Sequence, residues 1–214
     1  MRIEGRRLKR EIGRVENVDA TVGGRHEKYL YKCLSPIPFR RYRKRQRYLE
    51  AAIPKGFRKD MLFLNGSTVG QIEYAPAEAS GLPIYGQSIH VSNCIWVLRK
   101  AKGYGFGRLL LNHAIGQAGD TNSLATIGLV GRSWLKKEHM EYLGFKAIDS
   151  FKMRQKTRHV GECFEAHLMW LPLRGDAEPP RWEKEKLLEG VDFCIAHLLC
   201  HPESLQMRQI YERC

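Results

Sequence analysis

No stretch of the chain approaches the roughly 18 consecutive apolar residues that a membrane span requires. Behind the basic start MRIEGRRLKREIGR there is no apolar core of a secretory leader. The protein is therefore expected to be soluble and cytoplasmic, with no membrane partner. Cysteine is sparse, with six residues (Cys33, Cys94, Cys163, Cys194, Cys200 and Cys214) in 214. A chain of that length can bury a core without staples, so mostly reduced thiols are expected. Negative charge is also short: 23 acidic against 36 basic side chains gives +13. The deficit is local, because residues 1–60 hold 18 basic and 7 acidic groups and residues 61–214 hold 18 and 16. Glycine and proline are at ordinary levels and no repeat is visible, which excludes collagen-like, solenoid and wholly disordered chains.

The residues present organise into three regions. Residues 1–60 are expected to form a basic N-terminal arm, irregular or built of short elements, and a helix packed on the core; the stretch FRRYRKRQRYLEAAIP places Phe39, Tyr42, Gln46, Leu49 and Ile53 at helical spacing before Pro54. Residues 61–172 alternate strand and helix signals. Met61–Leu64 and Thr68–Tyr74 flank Asn65-Gly66, a dipeptide suited to a type I′ hairpin turn. SIHVSNCIWVL reads as a further strand, Arg108–Gly116 as a helix, Leu124–Val130 as a strand, Ser133–Leu143 as a helix, and CFEAHLMWL as a last strand. Residues 173–214 start with a linker by composition and continue as a segment too short for its own core, expected to dock as a helical tail. Strands alternating with helices predict an α/β layered fold with at least one parallel pairing.

The most informative segment runs from Ile95 to Leu111. A strand enters a loop of alternating glycines, Gly103, Gly105 and Gly107, and the loop opens directly into a helix. Backbone N–H groups and the positive end of the helix dipole meet there, and Lys100, Lys102 and Arg108 add charge. That arrangement suits a phosphate. Gly107 is followed by Arg108-Leu109, not by the Lys-Ser/Thr of a Walker loop. The Gly-x-Gly-x-Gly spacing also differs from the Gly-x-Gly-x-x-Gly of dinucleotide sites.

At these residues, Lys102-Gly103-Tyr104-Gly105-Phe106-Gly107-Arg108-Leu109-Leu110-Leu111, the chain resembles the GNAT superfamily of acetyl-CoA-dependent N-acetyltransferases. A second block, Ser133 to Phe145 ending in Leu143-Gly144-Phe145, is similar to the helix and outer strand of that family. The resemblance covers about residues 60–172, with a narrower likeness to its YoaP-type prokaryotic branch. It implies a GNAT-like central mixed sheet with helices on both faces. It further implies that backbone groups of Trp96, Val97 and Leu98 bond the pantetheine arm of acetyl-CoA. Backbone N–H groups of Lys102, Gly103, Tyr104, Gly105, Phe106, Gly107 and Arg108 would hold the pyrophosphate, and Ser133 stands where the family has an asparagine. No metal is expected.

Acetyl transfer to an amine needs a neutral amine, a stabilised oxyanion and a proton for the leaving thiolate. The family's proton-donating tyrosine is replaced here by Met140, which makes the adjacent His139 the candidate acid. Glu73 and His90, on strands flanking the implied cleft, are the candidate bases. Cys94 could serve as a nucleophile or as a small core filler, and Cys194, His197, Cys200 and His201 are metal-ligand types packed too closely for a closed site. The alternative to an enzyme is a non-catalytic module of the same fold that binds acyl-CoA or RNA. Its sequence feature is Arg40, Arg41, Arg43, Lys44, Arg45 and Arg47 interleaved with tyrosines. A helix standing beside the acceptor cleft is the favoured reading of that arm, and the acceptor is a small-molecule or peptide amine.

Overall fold

The computed structural model describes residues 13–31, 33–34, 42–131, 135–156 and 162–214. The elements follow as β1 (Val15–Asp19), α1 (Arg43–Ala52), β2 (Arg58–Leu64), β3 (Ser67–Pro76), β4 (Ile84–Tyr85), β5 (Ile89–Val97), α2 (Phe106–Gln117) and β6 (Ser123–Val130). Then come α3 (Lys137–Tyr142), β7 (Lys146–Gln155), β8 (Cys163–Pro172), β9 (Arg181–Trp182), α4 (Lys184–Leu187) and β10 (Tyr211–Arg213). Among the described residues eight strands form one sheet in the order β1-β2-β3-β5-β6-β8-β7-β10. The β5–β6 pairing is parallel, and α2 supplies the crossover that a parallel pair requires. The β2–β3 hairpin turns at Asn65 (φ 49°) and Gly66 (φ 75°), the positive dihedrals that the dipeptide predicts.

Strand alternation sorts the apolar side chains onto two faces. Leu62, Ile72, Leu124 and Met169 join Leu110, Leu111, Ala114 and Met140 of α2 and α3 in one cluster. Their neighbours Met61, Phe63 and Ala75 pack with Leu49 and Ala52 of α1. Further along that second face, Ala125, Ile127, Leu129, Ala166 and Leu168 pack against Leu187, Phe193, Ala196 and Leu199 of the C-terminal segment. Helices thus cover both faces, as expected of a layered α/β fold.

In the N-terminal region β1 forms one edge of the sheet on β2. One expectation is corrected. The C-terminal segment is not a helical tail. It contains one helix of four residues, a two-residue strand β9 paired with β4, and β10, which extends the sheet beside β7. Its apolar side chains are taken up by the sheet face, which removes the need for a helix of its own. Four of the six cysteines, Cys33, Cys94, Cys194 and Cys200, are free thiols, in line with the mostly reduced set expected; Cys163 and Cys214 form a disulfide that ties β8 to the C-terminus. No helix among the described residues is long and apolar enough to cross a membrane.

Candidate active site

The site begins with one extra residue in β5. Cys94 pairs with Glu73 and Ser92 with Tyr74, so Asn93 has no opposite number on β3. A bulge of this kind bends its strand. The neighbouring β6 pairs with β5 only from Ile89 to Val91, and Thr126 still donates to Ser92 O at 2.7 Å. Beyond that point the two strands part.

The open gap has free backbone on its β5 side. Leu98 N–H donates to Val69 O at 2.8 Å, which makes Leu98 and Val69 a hydrogen-bonded pair. By the alternation of an antiparallel ladder, the backbone groups of Trp96 also face β3, and those of Ile95 and Val97 face the gap. Of the expected trio, only Val97 turns its backbone groups to the gap, where Ile95 joins it, and those of Trp96 and Leu98 are engaged in the sheet. Across the gap, Leu129 N–H is taken by Leu135 O at 2.8 Å.

The glycine loop closes the wide end of the gap. Gly103 (φ 86°) and Gly105 (φ 75°) occupy the left-handed region, where a side chain costs about 1–2 kcal/mol. A Cβ on either would meet nothing within 4 Å, so the requirement is conformational and the space above the loop is open. Gly105 is the N-cap of α2 and contributes no side-chain cap, and the first turn holds no acidic residue. The leading N–H groups of α2 therefore lack helical partners and point out of its positive end.

Above this loop lies a cavity of about 430 Å³, lined by Ile95, Trp96, Val97, Lys102, Gly103, Gly105, Phe106, Gly107, Arg108, His139, Met140 and Tyr142, among others. Tyr104 stacks on Phe106 with ring centres 5.6 Å apart. Arg108 lies over the Tyr142 ring at 5.5 Å and donates to Tyr142 O at 3.1 Å, which fixes a cation at the rim. Met140 is buried at 4% exposure and presents no proton, whereas His139 lies on the wall. Ser133 falls outside the described residues.

Neither expected base is at this gap. Glu73 is fully buried, salt-bridged to Arg45 at 2.9 Å and to Lys59 at 2.7 Å. Despite the loss of solvation, these two cations hold its carboxyl down at about 2, so it is an ion-pair centre with no basicity to offer. His90 pairs with Leu124 where β5 and β6 are still joined, and its Nδ1 contacts Thr121 Oγ1. It lies five residues from Ile95, roughly 17 Å along the strand. Burial also lowers its pKa. Cys94 is a thiol rather than a thiolate, because burial pushes it up to about 12.

The basic arm is partly consumed by packing. Arg45 is inward, Lys44 is bonded to Asp192 at 2.7 Å, and the Tyr42 hydroxyl donates to His201 O at 2.8 Å. Tyr48 donates to Ala79 O at 3.0 Å. Neither tyrosine is available to stack on a base, and Arg43 and Arg47 keep exposed side chains. Arg40 and Arg41 fall outside the described residues. In the tail, Cys200 meets Tyr42 and His201 Nε2 meets Met207 O, so the four metal-ligand types do not converge.

No family model matches the chain, and no curated protein sequence does; the narrower YoaP-type likeness stays an expectation. Solved structures do match. One, described as an acetyltransferase from Acinetobacter baylyi ADP1, is 13% identical, with 74% of this chain and 93% of that chain covered at a TM-score of 0.51. A protein from Streptococcus mutans UA159 is 17% identical over 75% of this chain and 99% of its own, with a TM-score of 0.50. An N-acetyltransferase from Staphylococcus aureus Mu50 is 14% identical over 76% and 100%, with a TM-score of 0.49. With its mixed sheet and its parted central strands, the chain shares the fold of the first two of these structures, a mixed α/β fold of the GNAT type.

Proposed function

We propose that the protein is an N-acetyltransferase that moves the acetyl group of acetyl-CoA to an amine by direct attack on the thioester. The observation that carries this reading is the continuity of the 430 Å³ cavity. One wall joins a glycine loop, a helix N-terminus and an unpaired strand edge, which are the partners needed by a pyrophosphate and an amide-bearing arm. Gly103 to Arg108 would cradle the pyrophosphate, with Lys102 and Arg108 adding charge. Ile95 and Val97 would bond the pantetheine amides as though the arm were an added strand. Bound acetyl-CoA supplies an activated acyl group, and its transfer yields an amide and a free thiol.

The chain's own residues would do three things. They orient the thioester in the gap, with α2 and α3 closing one face so that attack comes from the other. The Ile95 or Val97 N–H, aimed into the gap, can stabilise the oxyanion. His139, on the wall beside the buried Met140, can give a proton to the departing sulfur. Among the described residues no side chain of the gap is a strong base, so the amine would enter neutral from solvent. The test is thiol release from acetyl-CoA over a panel of amines. Release that depends on the amine supports the reading, and its absence on every amine, with acetyl-CoA bound, contradicts it.

A further inference from the structure

On the sheet face opposite α2 and α3, the gap leads to a second cavity of about 30 Å³. It shares Ile95, Trp96 and Leu135 with the first cavity, so the two meet at the parted end of β5. Leu129 of β6 forms one side, and Phe193, Ala196 and Leu198 of the C-terminal segment form the roof. That roof is pinned in place: Arg45 donates to Phe193 O at 2.8 Å, and the Phe193 ring centre lies 5.6 Å from that of Tyr48.

The wall is almost wholly apolar. Asn93 and His197 belong to it, but their unpaired polar atoms, Oδ1 and Nε2, are buried and add no polar surface. Cys94 and Cys194 line it as neutral thiols, which behave as small hydrophobes; a hydrogen bond with Cys33, together with burial, raises the second well above the usual thiol range. Among the described residues no lysine, arginine or carboxylate lines the cavity, so a charge placed there would lose its water without gaining a partner. Water itself would find almost nothing to bond, and apolar voids of this kind stay dry and take apolar ligands. A water-sized group needs roughly 10–15 Å³ of such space, so the cavity holds about two or three of them, the bulk of an ethyl group.

Chain direction brings the thioester beside this space. The pantetheine arm, starting at a pyrophosphate over Gly103 to Arg108, would pass Val97 before Ile95. Its far end, the thioester, would therefore arrive next to Cys94 and Asn93, both on the cavity wall. We propose that the cavity is an acyl-chain pocket, and that the protein transfers unbranched, uncharged acyl groups of up to about four carbons, favouring propionyl and butyryl over acetyl. The carbonyl carbon stays in the gap and the alkyl end enters the apolar space, which an acetyl methyl leaves part empty. The chemistry is that of acetyl transfer: the amine nitrogen bonds the acyl carbon, the carbon–sulfur bond breaks, and the proton lost by nitrogen ends on the thiolate. The assignment rests on the transfer proposed above and adds the identity of the acyl group.

Binding reads the pocket without an acceptor amine. The test is isothermal titration of acetyl-, propionyl-, butyryl-, hexanoyl- and malonyl-CoA into the wild type. Each methylene that enters apolar surroundings should tighten binding about fourfold, so butyryl-CoA is expected to bind roughly tenfold more tightly than acetyl-CoA. Hexanoyl-CoA should fall back, because its last carbons exceed the space. Malonyl-CoA should bind more weakly than butyryl-CoA, because its carboxylate finds no cation there. Ala196→Leu, which fills the cavity from the roof, should bring butyryl-CoA down to the affinity of acetyl-CoA; Leu198→Ala, which enlarges it, should shift the optimum toward hexanoyl-CoA. Should either variant not fold, the wild-type series decides by itself. Affinity that is flat or falls from acetyl to butyryl overturns the proposal, and so does affinity that still climbs at hexanoyl, the mark of an open apolar surface. Failure of the wild type to bind any of these acyl-CoAs sinks the transfer reading itself, whereas binding without the chain-length optimum overturns only the pocket.

Discussion

Arg45 and Glu73 meet in a two-pronged ion pair, Nη2 to Oε1 at 2.9 Å and Nη1 to Oε2 at 3.1 Å. Both side chains are buried. The same guanidinium donates to Leu30 O at 2.6 Å and to Phe193 O at 2.8 Å. One arginine therefore joins α1, β3, the N-terminal segment and the C-terminal segment. Breaking a buried pair leaves an uncompensated charge, so Glu73→Gln should cost about 3–5 kcal/mol of stability. Denaturant unfolding measures it, and a loss below about 1 kcal/mol would deny the pair its structural role.

The same carboxyl predicts acid sensitivity. Its folded pKa of about 2 lies below the ordinary 4.5, so its contribution is fully present above about pH 4.5 and is lost as pH falls toward 2. The stability gap between wild type and Glu73→Gln should narrow across that window. Chemical denaturation at pH 6 and pH 3 reads it directly; a gap that widens on acidification has the wrong sign.

His139 is the protonatable side chain assigned to the leaving sulfur. His139→Ala should lower kcat about 100-fold and leave acetyl-CoA affinity nearly unchanged. The counterpart is His90, stationed at the joined end of the strands: His90→Gln should keep kcat/KM within about twofold of wild type. Steady-state kinetics of the two variants side by side check both statements, and the reverse pattern would return the catalytic role to His90.

Lys102 and Arg108 line the first cavity from the loop side. In the proposed site their charges would act on phosphates near solvent, where salt screens them. Lys102→Ala and Arg108→Ala should each weaken acetyl-CoA binding several-fold and flatten its dependence on ionic strength. Titrations at low and high salt provide the comparison.

Much of this was legible where local chemistry decides structure. The Asn65-Gly66 turn, the strand through Ile95, the glycine loop and the helix after it depend on neighbours in sequence. The rest depends on partners far away. The inward stripe of α1 comprises Tyr42, Arg45, Leu49 and Ala52, not Gln46 as the apolar spacing suggested, because Arg45 finds Glu73 28 residues on. Glu73 looked like a base because its strand borders the cleft, yet nothing nearby announces the two cations that neutralise it. The C-terminal segment, too short for its own core, was expected to dock as a helical tail, but a long-range sheet face absorbs its apolar side chains.

The central claim is that the loop from Gly103 to Gly107 holds the pyrophosphate of acetyl-CoA. Isothermal titration of acetyl-CoA into wild type and Gly105→Glu tests it most directly, with thermal unfolding to verify that the variant folds. The account predicts one-to-one binding by the wild type and none by the variant, whose carboxylate would stand in the anion's place at the positive end of α2. No binding by the wild type, or equal affinity in both, would contradict it.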